Sequence, residues 1–118
     1  MSEKKILIVE DEFTARTLLE FQLKRLGISF DSVENGGEAL SCFQKGKYSL
    51  VLLDEYLPDL NGSEVARKIL EIEPGVPLFA MTGDSEAVPR LKREGFQDVF
   101  LKPLHGKGHL DIILGYLT

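Results

Sequence analysis

The sequence predicts an α/β protein in which one five-stranded parallel β-sheet carries helices on both faces. Short apolar and β-branched segments alternate with helical patterns along the 118 residues. Some of these segments are apolar without interruption, as at 50–53, which is typical of strands that are buried on both faces. The length is that of one ordinary domain, and it suffices for a core without disulfides or metals. We therefore expect residues 1–118 to form a single domain.

Three strands and two helices are predicted in the first half of the chain. The strands are short runs of apolar and β-branched residues, and the helices repeat apolar residues every three or four positions. Gly27 and Gly46 end the two helices, as glycine commonly does. In order, the predicted elements are a strand at 5–9, a helix at 13–26, a strand at 28–33, a turn at 35–37, a helix at 38–45 and a strand at 48–53.

The second half contains two strands and three helices, of which one is irregular. Pro74 and Gly75 end the first of these helices, and Pro89 falls inside the pattern of the next. Two interpretations of Pro89 stay open. The helix begins near Val88 after a loop at 84–88, or the proline occupies an ordinary first turn, where it is tolerated. In order, the predicted elements are a helix at 63–71, a strand at 77–81, a helix at 85–94, a strand centred on 99–101 and a helix at 110–117.

The composition disfavours several classes of function. The formal net charge is −5, so a nucleic-acid-binding surface is not expected. The lone cysteine, Cys42, cannot form an internal disulfide and fits a reducing, cytoplasmic environment. No apolar run approaches the ~18 residues that span a bilayer, and no signal peptide precedes the first strand, so no membrane partner is expected. His105 and His109 flank a glycine-containing loop and are expected to be solvated, not to bind a metal.

Polar and charged side chains directly follow the predicted strands. Glu10 and Asp11 follow the first strand, Asp54 follows the third, Thr82 the fourth and Lys102 the fifth. The carboxyl ends of parallel strands meet at one edge of a sheet, where the working sites of such proteins lie. We therefore expect these side chains to share one edge of the sheet.

The chemistry of this set favours a phosphoryl-transfer site. Crowded carboxylates raise one another's pKa, and a hard divalent cation with oxygen ligands, such as Mg²⁺, relieves their repulsion. An aspartate on a rigid strand can act as a nucleophile and become an aspartyl phosphate. Phosphoryl transfer depends mainly on positioning and on neutralisation of charge. Mg²⁺ and Lys102 would neutralise the charge, and the Thr82 hydroxyl could donate to a phosphoryl oxygen.

Each residue also has an ordinary explanation when it is taken alone. The run Glu10-Asp11-Glu12 could cap the first helix with acids at its positive end. Asp54 would be a turn residue after a strand, Thr82 the start of a turn and Lys102 a solvated lysine. The joint occurrence of these residues at the carboxyl ends of successive strands favours the common site.

The chain resembles the receiver domain of two-component response regulators in four segments, which occur in the family's order and spacing: KILIVEDE, LVLLDEYLPDLNG, FAMTGD and FLKPL. The resemblance covers essentially the whole chain. It implies a doubly wound, flavodoxin-like fold with strand order 2-1-3-4-5, as in the chemotaxis response regulators.

The resemblance also implies the roles of individual residues. Asp54 matches the phosphoacceptor. Asp11 matches the main acidic Mg²⁺ ligand, and Glu10 matches the neighbouring acid, which acts largely through water. Tyr56 matches the position whose backbone carbonyl completes the Mg²⁺ site.

Four positions outside the metal site match the family pattern as well. Thr82 matches the switch hydroxyl that moves toward the phosphoryl group, and Lys102 matches the lysine that pairs with it. Pro103 resembles the cis-proline that aims this lysine, and Gly62 matches the turn glycine after the third strand.

Three positions depart from the family pattern: Pro89, whose two interpretations are given above, Val99 and Tyr56. Val99 stands where the family usually has a switch aromatic, so coupling through the rotation of an aromatic ring is not expected here. Tyr56 occupies a position that, together with Asp84, tunes hydrolysis of the aspartyl phosphate in this family. We expect its ring to lie over Asp54 and to hinder the attacking water; the alternative is a ring that lies flat on the surface.

The resemblance implies a phosphoacceptor signalling domain and not an enzyme with a separate substrate. A histidine kinase or a histidine phosphotransfer protein would donate the phosphoryl group, and an unidentified target protein would bind the changed surface. A free regulator and a receiver excised from a hybrid histidine kinase both fit, and phosphorylation-dependent homodimerisation stays open. An unphosphorylated pseudo-receiver would have lost the acid pair, the acceptor or the lysine, all of which are present. An aspartate-nucleophile phosphatase would have an acid at position 56, which is a tyrosine.

Overall fold

The computed structural model describes residues 4–117, in which five strands alternate with five α-helices. The strands are β1 (Lys5–Val9), β2 (Phe30–Val33), β3 (Tyr48–Asp54), β4 (Leu78–Thr82) and β5 (Asp98–Leu101). The helices are α1 (Phe13–Arg25), α2 (Gly36–Cys42), α3 (Gly62–Ile72), α4 (Val88–Arg93) and α5 (Gly108–Leu117). The strands pair in parallel in the order β2-β1-β3-β4-β5, so the predicted fold and strand order are confirmed.

The sheet separates two apolar cores. Alternate residues of β1 point to opposite faces, so Leu7 and Val9 belong to one core and Ile6 and Ile8 to the other. Helices α2, α3 and α4 cover the first core, and α1 and α5 cover the second. This burial on both faces explains why the central strands are apolar without interruption. Among residues 4–117, no helix is both long and apolar enough to cross a membrane.

Helix α2 begins earlier than the sequence pattern predicts. The Asn35 side chain caps it by accepting a 2.8 Å hydrogen bond from the Glu38 N–H. The Asp59 carboxylate accepts bonds of 2.8 Å from the N–H groups of both Gly36 and Gly37. The prediction of a turn at 35–37 is therefore wrong for the two glycines, because a carboxylate 22 residues or more along the chain holds them in the first helical turn.

Helix α4 is short and begins with proline in its first turn. A 3₁₀ turn at Ser85–Ala87 precedes it, and the Asp84 carboxylate caps that turn. Pro89 follows Val88, the first residue of α4, at a position where a helix needs no backbone N–H. The start of the helix near Val88 is confirmed, and so is the first-turn position of Pro89. The preceding residues form a 3₁₀ turn and not the predicted loop.

Strands β3 and β4 each end one residue farther along the chain than predicted, which places two of the predicted site residues on strand backbone. Strand β3 includes Asp54, which pairs in register with Met81 of β4. Strand β4 includes Thr82, which pairs with Leu101 of β5. Asp54 and Thr82 are thus held by the sheet itself, at its carboxyl edge.

Candidate functional site

Three acidic side chains meet at the carboxyl edge of the sheet. Glu10 follows β1, Asp11 follows Glu10, and Asp54 ends β3. Each offers one carboxylate oxygen, and the three oxygens lie within 4.8 Å of one another. Glu10 and Asp54 are buried, whereas Asp11 is exposed. The cluster therefore opens to solvent on the side of Asp11.

The Lys102 ammonium reaches the same cluster from the end of β5. Its Nζ lies 2.5 Å from Glu10 Oε1 and 3.2 Å from Asp54 Oδ2. The Lys102 side chain is 22% exposed, so water weakens these contacts only in part. Burial alone would lower the pKa of Lys102, but the Glu10 and Asp54 carboxylates outweigh it and raise that pKa. The lysine is thus a fixed cation at the site.

The environment of Asp54 disfavours its negative charge. Burial, followed by the neighbouring Glu10 carboxylate, raises the pKa of Asp54 to about 7, although Lys102 acts in the opposite direction. A second cation would stabilise the ionised form of the pair. The acids are therefore crowded, and Lys102 compensates for their negative charge only in part; both features favour the binding of a divalent cation.

The residues present fit a hard divalent cation. The cluster offers oxygen ligands only, as Mg²⁺ prefers. Glu10 Oε1 is buried, and the Lys102 ammonium is its ion-pair partner. The exposed Asp11 carboxylate leaves this cluster open to a cation from the solvent side.

The ordinary explanation for the acidic run holds for one of its three residues. The Glu12 carboxylate caps α1 by accepting hydrogen bonds from the N–H groups of Thr14 and Ala15, at 3.0 and 2.8 Å. These bonds lower the pKa of Glu12. Glu10 and Asp11 do not cap the helix in this way; their side chains turn toward Asp54.

The Thr82 hydroxyl is not directed at Asp54. It donates a 2.7 Å hydrogen bond to Glu55 Oε1 and accepts one of 3.0 Å from the Asp84 N–H. The Glu55 side chain is only 3% exposed, and its second oxygen pairs with Arg90 of α4. Sequence reasoning missed Glu55. The available signal was a second acid directly after Asp54, at a position that extends a buried strand.

The loop after β3 approaches Asp54 closely. The Gly62 N–H donates a 2.7 Å bond to the Glu55 carbonyl, and a Cβ at Gly62 would lie 2.5 Å from the Asp54 carbonyl oxygen. Tyr56 forms an isolated bridge with Asn61 and leaves 67% of its surface exposed. Position 62 therefore has no room for a side chain, which explains the glycine. The Tyr56 side chain is largely exposed to solvent, two residues from Asp54.

Lys102 and Pro103 are joined by a cis peptide bond, so the expectation for Pro103 is confirmed.

His109 contradicts the expectation of a solvated loop. It lies in α5, is buried, and its Nε2 is 2.8 Å from Gln22 Oε1 of α1. Its ring also contacts Phe100, with ring centres 6.0 Å apart. Burial, with a smaller effect of His105, lowers the pKa of His109. His105 is exposed, as expected.

Known proteins share both the sequence and the fold. The sequence model of the response regulator receiver domain matches residues 6–113. The transcriptional regulatory protein ResD of Bacillus subtilis (strain 168) is 36% identical over 104 residues, which are 86% of this chain and 43% of ResD. This chain therefore spans less than half the length of that relative.

Two solved structures extend the likeness to the whole fold. The non-phosphorylated HemR receiver domain from Leptospira biflexa has a TM-score of 0.88 at 27% identity, over 98% of this chain and 95% of that one. The receiver domain of the sensor histidine kinase PA1611 from Pseudomonas aeruginosa PAO1, with a magnesium ion in its active site cleft, has a TM-score of 0.85 at 29% identity. This alignment covers 98% of each chain. By its sequence and its fold, the chain belongs to the response regulator receiver domain family.

Proposed function

We propose that Asp54 is the phosphoacceptor of this receiver domain and that the 118 residues act as one such domain. The observation that carries the proposal is the position of Asp54. It ends a central strand, its Oδ2 lies 3.2 Å from the Lys102 ammonium, and its carboxylate shares a cluster with Glu10 and Asp11. The Asp54 nucleophile, the Lys102 cation and the acidic ligands for a second cation thus lie together, as phosphoryl transfer requires.

The proposed reaction transfers a phosphoryl group to a carboxylate. An Asp54 oxygen attacks the phosphorus of a phosphohistidine, the new O–P bond forms and the N–P bond breaks. The leaving imidazole keeps the electron pair of that bond and takes up a proton. Lys102 pairs with the transferred oxygens and compensates for charge near Asp54. The chain modifies only itself, so we do not describe it as an enzyme.

Glu10, Asp11, Asp54 and the Tyr56 carbonyl are the proposed ligands of Mg²⁺. The ion would neutralise phosphoryl charge and favour the ionised Asp54. The cluster of Glu10, Asp11 and Asp54 oxygens, which lie within 4.8 Å of one another, supports this assignment. A magnesium ion in the related PA1611 receiver domain supports it further.

Receiver domains act in two-component signal transduction with histidine kinases and downstream effectors. For this chain we propose a cytoplasmic location, a histidine kinase or a histidine phosphotransfer protein as donor, and a target protein that distinguishes the phosphorylated surface. ResD is a transcriptional regulator and PA1611 a sensor histidine kinase, so relatives include both separate regulators and receivers within kinases. A free domain and a part of a longer protein are both compatible with this function.

The first test is intact mass after incubation with acetyl phosphate, with and without Mg²⁺. We expect one added phosphoryl group that requires Mg²⁺ and is absent from the Asp54→Ala variant. Asp111→Asn is a matched control, because Asp111 is an exposed acid in the first turn of α5, outside the acidic cluster. No adduct, or an adduct that persists in Asp54→Ala, would contradict the proposal and favour a pseudo-receiver.

A second measurement tests the metal without phosphorylation. Mg²⁺ that binds only the folded state raises the melting temperature in proportion to the logarithm of its concentration. We expect this rise in the native chain and its loss in Asp11→Asn, whose side chain is exposed and tolerates the change. An equal rise in both proteins would contradict the assignment.

A further inference from the structure

We propose that Glu55 is a positioning residue: it holds the Thr82 hydroxyl in the unphosphorylated protein and, through Arg90, conveys its release to α4. The inference rests on the proposed phosphorylation of Asp54. It assigns a role to a buried acid and a helix α4 arginine that the sequence pattern left without one.

The backbone of Glu55 is fixed on both sides. Its N–H donates a 3.0 Å bond to the Met81 carbonyl, and its carbonyl accepts the bond from Gly62. Successive side chains of an extended strand point to opposite faces, so Glu55 points away from the Asp54 carboxylate. The side chain of Glu55 is therefore held beside β4 and α4, where it meets Thr82 and Arg90.

The Thr82 hydroxyl has one proton to donate, and Glu55 receives it. A phosphoryl group on Asp54 brings three strong acceptor oxygens and added negative charge to the neighbouring strand end. Asp54 pairs with Met81, so Thr82 is the next residue along β4. A phosphoryl oxygen and the Glu55 carboxylate thus compete for the one hydrogen bond that the Thr82 hydroxyl can donate. When the hydroxyl donates to the phosphoryl oxygen, Glu55 loses its hydrogen bond from Thr82.

The loss of this hydrogen bond affects α4 through Arg90. Glu55 is buried, so Arg90 is then the one partner of its carboxylate among residues 4–117. Arg90 also contacts Glu94, and Glu94 accepts a 2.5 Å bond from the Ser63 hydroxyl of α3. A shift of the Glu55–Arg90 pair therefore moves a chain of polar contacts that crosses α4 and ends on α3.

This path is independent of an aromatic switch residue. Val99 packs against the core that α4 covers and has no ring to rotate. Helix α4 has six residues, of which Leu91 is the buried one, so little packing opposes a displacement of this helix. A polar contact thus couples the acceptor site to α4 in a chain that lacks the aromatic.

The test uses beryllofluoride with Mg²⁺, which adds to a carboxylate as a stable analogue of the phosphoryl group. In Glu55→Leu the Thr82 hydroxyl is no longer held, so we expect threefold to tenfold tighter beryllofluoride binding. In a Thr82→Val background the same substitution should leave the affinity for beryllofluoride unchanged.

Arg90→Gln should still bind beryllofluoride but lose most of the amide NMR shifts that binding causes in α4. Arg93→Gln, on the exposed side of α4, is the matched control and should keep them.

The outcomes separate the two proposals. If the native chain binds no beryllofluoride, or Asp54→Asn binds it equally, the proposed function fails, and this inference fails with it. If binding is normal but Glu55→Leu has no effect, or has the same effect without the Thr82 hydroxyl, the inference alone is wrong.

Should Glu55→Leu not fold, Glu55→Gln replaces it. It keeps an acceptor for Thr82 and loses the ion pair, so the α4 shifts should fall while the affinity stays within twofold. Unchanged α4 shifts in Glu55→Gln would overturn the inference.

Discussion

Lys102 Nζ lies 3.2 Å from Asp54 Oδ2, although Asp54 ends β3, Lys102 follows β5, and β4 lies between these two strands in the sheet. The lysine also contacts Glu10, so one cation compensates for two buried carboxylates. Both acids are poorly solvated, and the loss of their cation leaves charge in a buried site.

Lys102→Met should therefore destabilise the folded chain more at pH 8 than at pH 5. At pH 8 Asp54 is ionised, because its pKa of about 7 lies below that pH; at pH 5 it is protonated. We expect a loss of about 3 kcal/mol at pH 8 and a smaller loss at pH 5, measured by urea unfolding. Lys107→Met, which changes an exposed lysine, is the control. Equal losses at the two pH values would contradict the assignment of charge to Asp54.

Asp54→Asn should become increasingly stabilising as the pH rises. The pKa of Asp54 is raised from 3.8 to about 7 in the folded chain, so between these values the folded state binds more protons than the unfolded state. The contribution of Asp54 to the stability of the native chain therefore falls as the pH rises through this window. Asparagine has no proton to lose, and we expect its advantage to grow by on the order of 2 kcal/mol, allowing for solvent screening. Urea unfolding of both proteins between pH 4 and pH 8 measures the difference, and a constant difference would contradict the shift.

His109 should produce the opposite dependence on pH. Burial, with a smaller effect of His105, lowers the pKa of His109 below 6.5, so the folded chain holds it neutral. Below 6.5 the unfolded chain takes up the proton first, and the contribution of His109 to stability is lost as the pH falls. Measured by urea unfolding, the stability of His109→Phe relative to that of the native chain should therefore increase as the pH falls from 7 to 5. His105→Phe, at an exposed position, should leave the pH dependence of the native chain nearly unchanged.

Gly62→Ala should distort the backbone that carries the acceptor. The added Cβ would lie 2.5 Å from the Asp54 carbonyl oxygen and 3.1 Å from Glu55 Cα, and neither backbone atom can move alone. We expect a loss of about 1–3 kcal/mol in the free energy of unfolding. Gly75→Ala is the matched control, because no atom lies within 4 Å of its added Cβ. A Gly62→Ala protein as stable as Gly75→Ala would show that the loop yields easily.

Tyr56→Asn should shorten the lifetime of the phosphorylated chain. The ring is 67% exposed and stands two residues from Asp54, where it can shield the aspartyl phosphate from water. We expect severalfold faster decay of the phosphorylated mass after the phosphoryl donor is removed. Phe21→Asn changes a similarly exposed ring on α1 and should leave the decay unchanged. An unchanged decay in Tyr56→Asn would leave the ring without a role in hydrolysis.

Local patterns and topology predicted most of the fold and the positions of the site residues. Asp54, Thr82 and Lys102 each follow or end an apolar strand, and parallel pairing alone brings strand ends together. Long-range contacts account for what was missed. The start of α2 depends on Asp59, and the burial of His109 depends on Gln22, 87 residues away. No pattern in a single segment contains such a pairing.

The same limit applies to Glu55. Its position after a buried strand was visible in the sequence, but its partners were not. Thr82 is 27 residues away and Arg90 is 35 residues away. A carboxylate at such a position has several neighbouring elements to turn toward, and only the packed structure selects between them.

The Asp59 carboxylate accepts two hydrogen bonds from the start of α2, and these bonds make one side of the site more rigid than the other. They fasten the first turn of α2 to the loop that follows β3, the strand that Asp54 ends. Helix α4, by contrast, has six residues and proline in its first turn. We therefore expect a phosphoryl group on Asp54 to displace α4 more than the fastened loop.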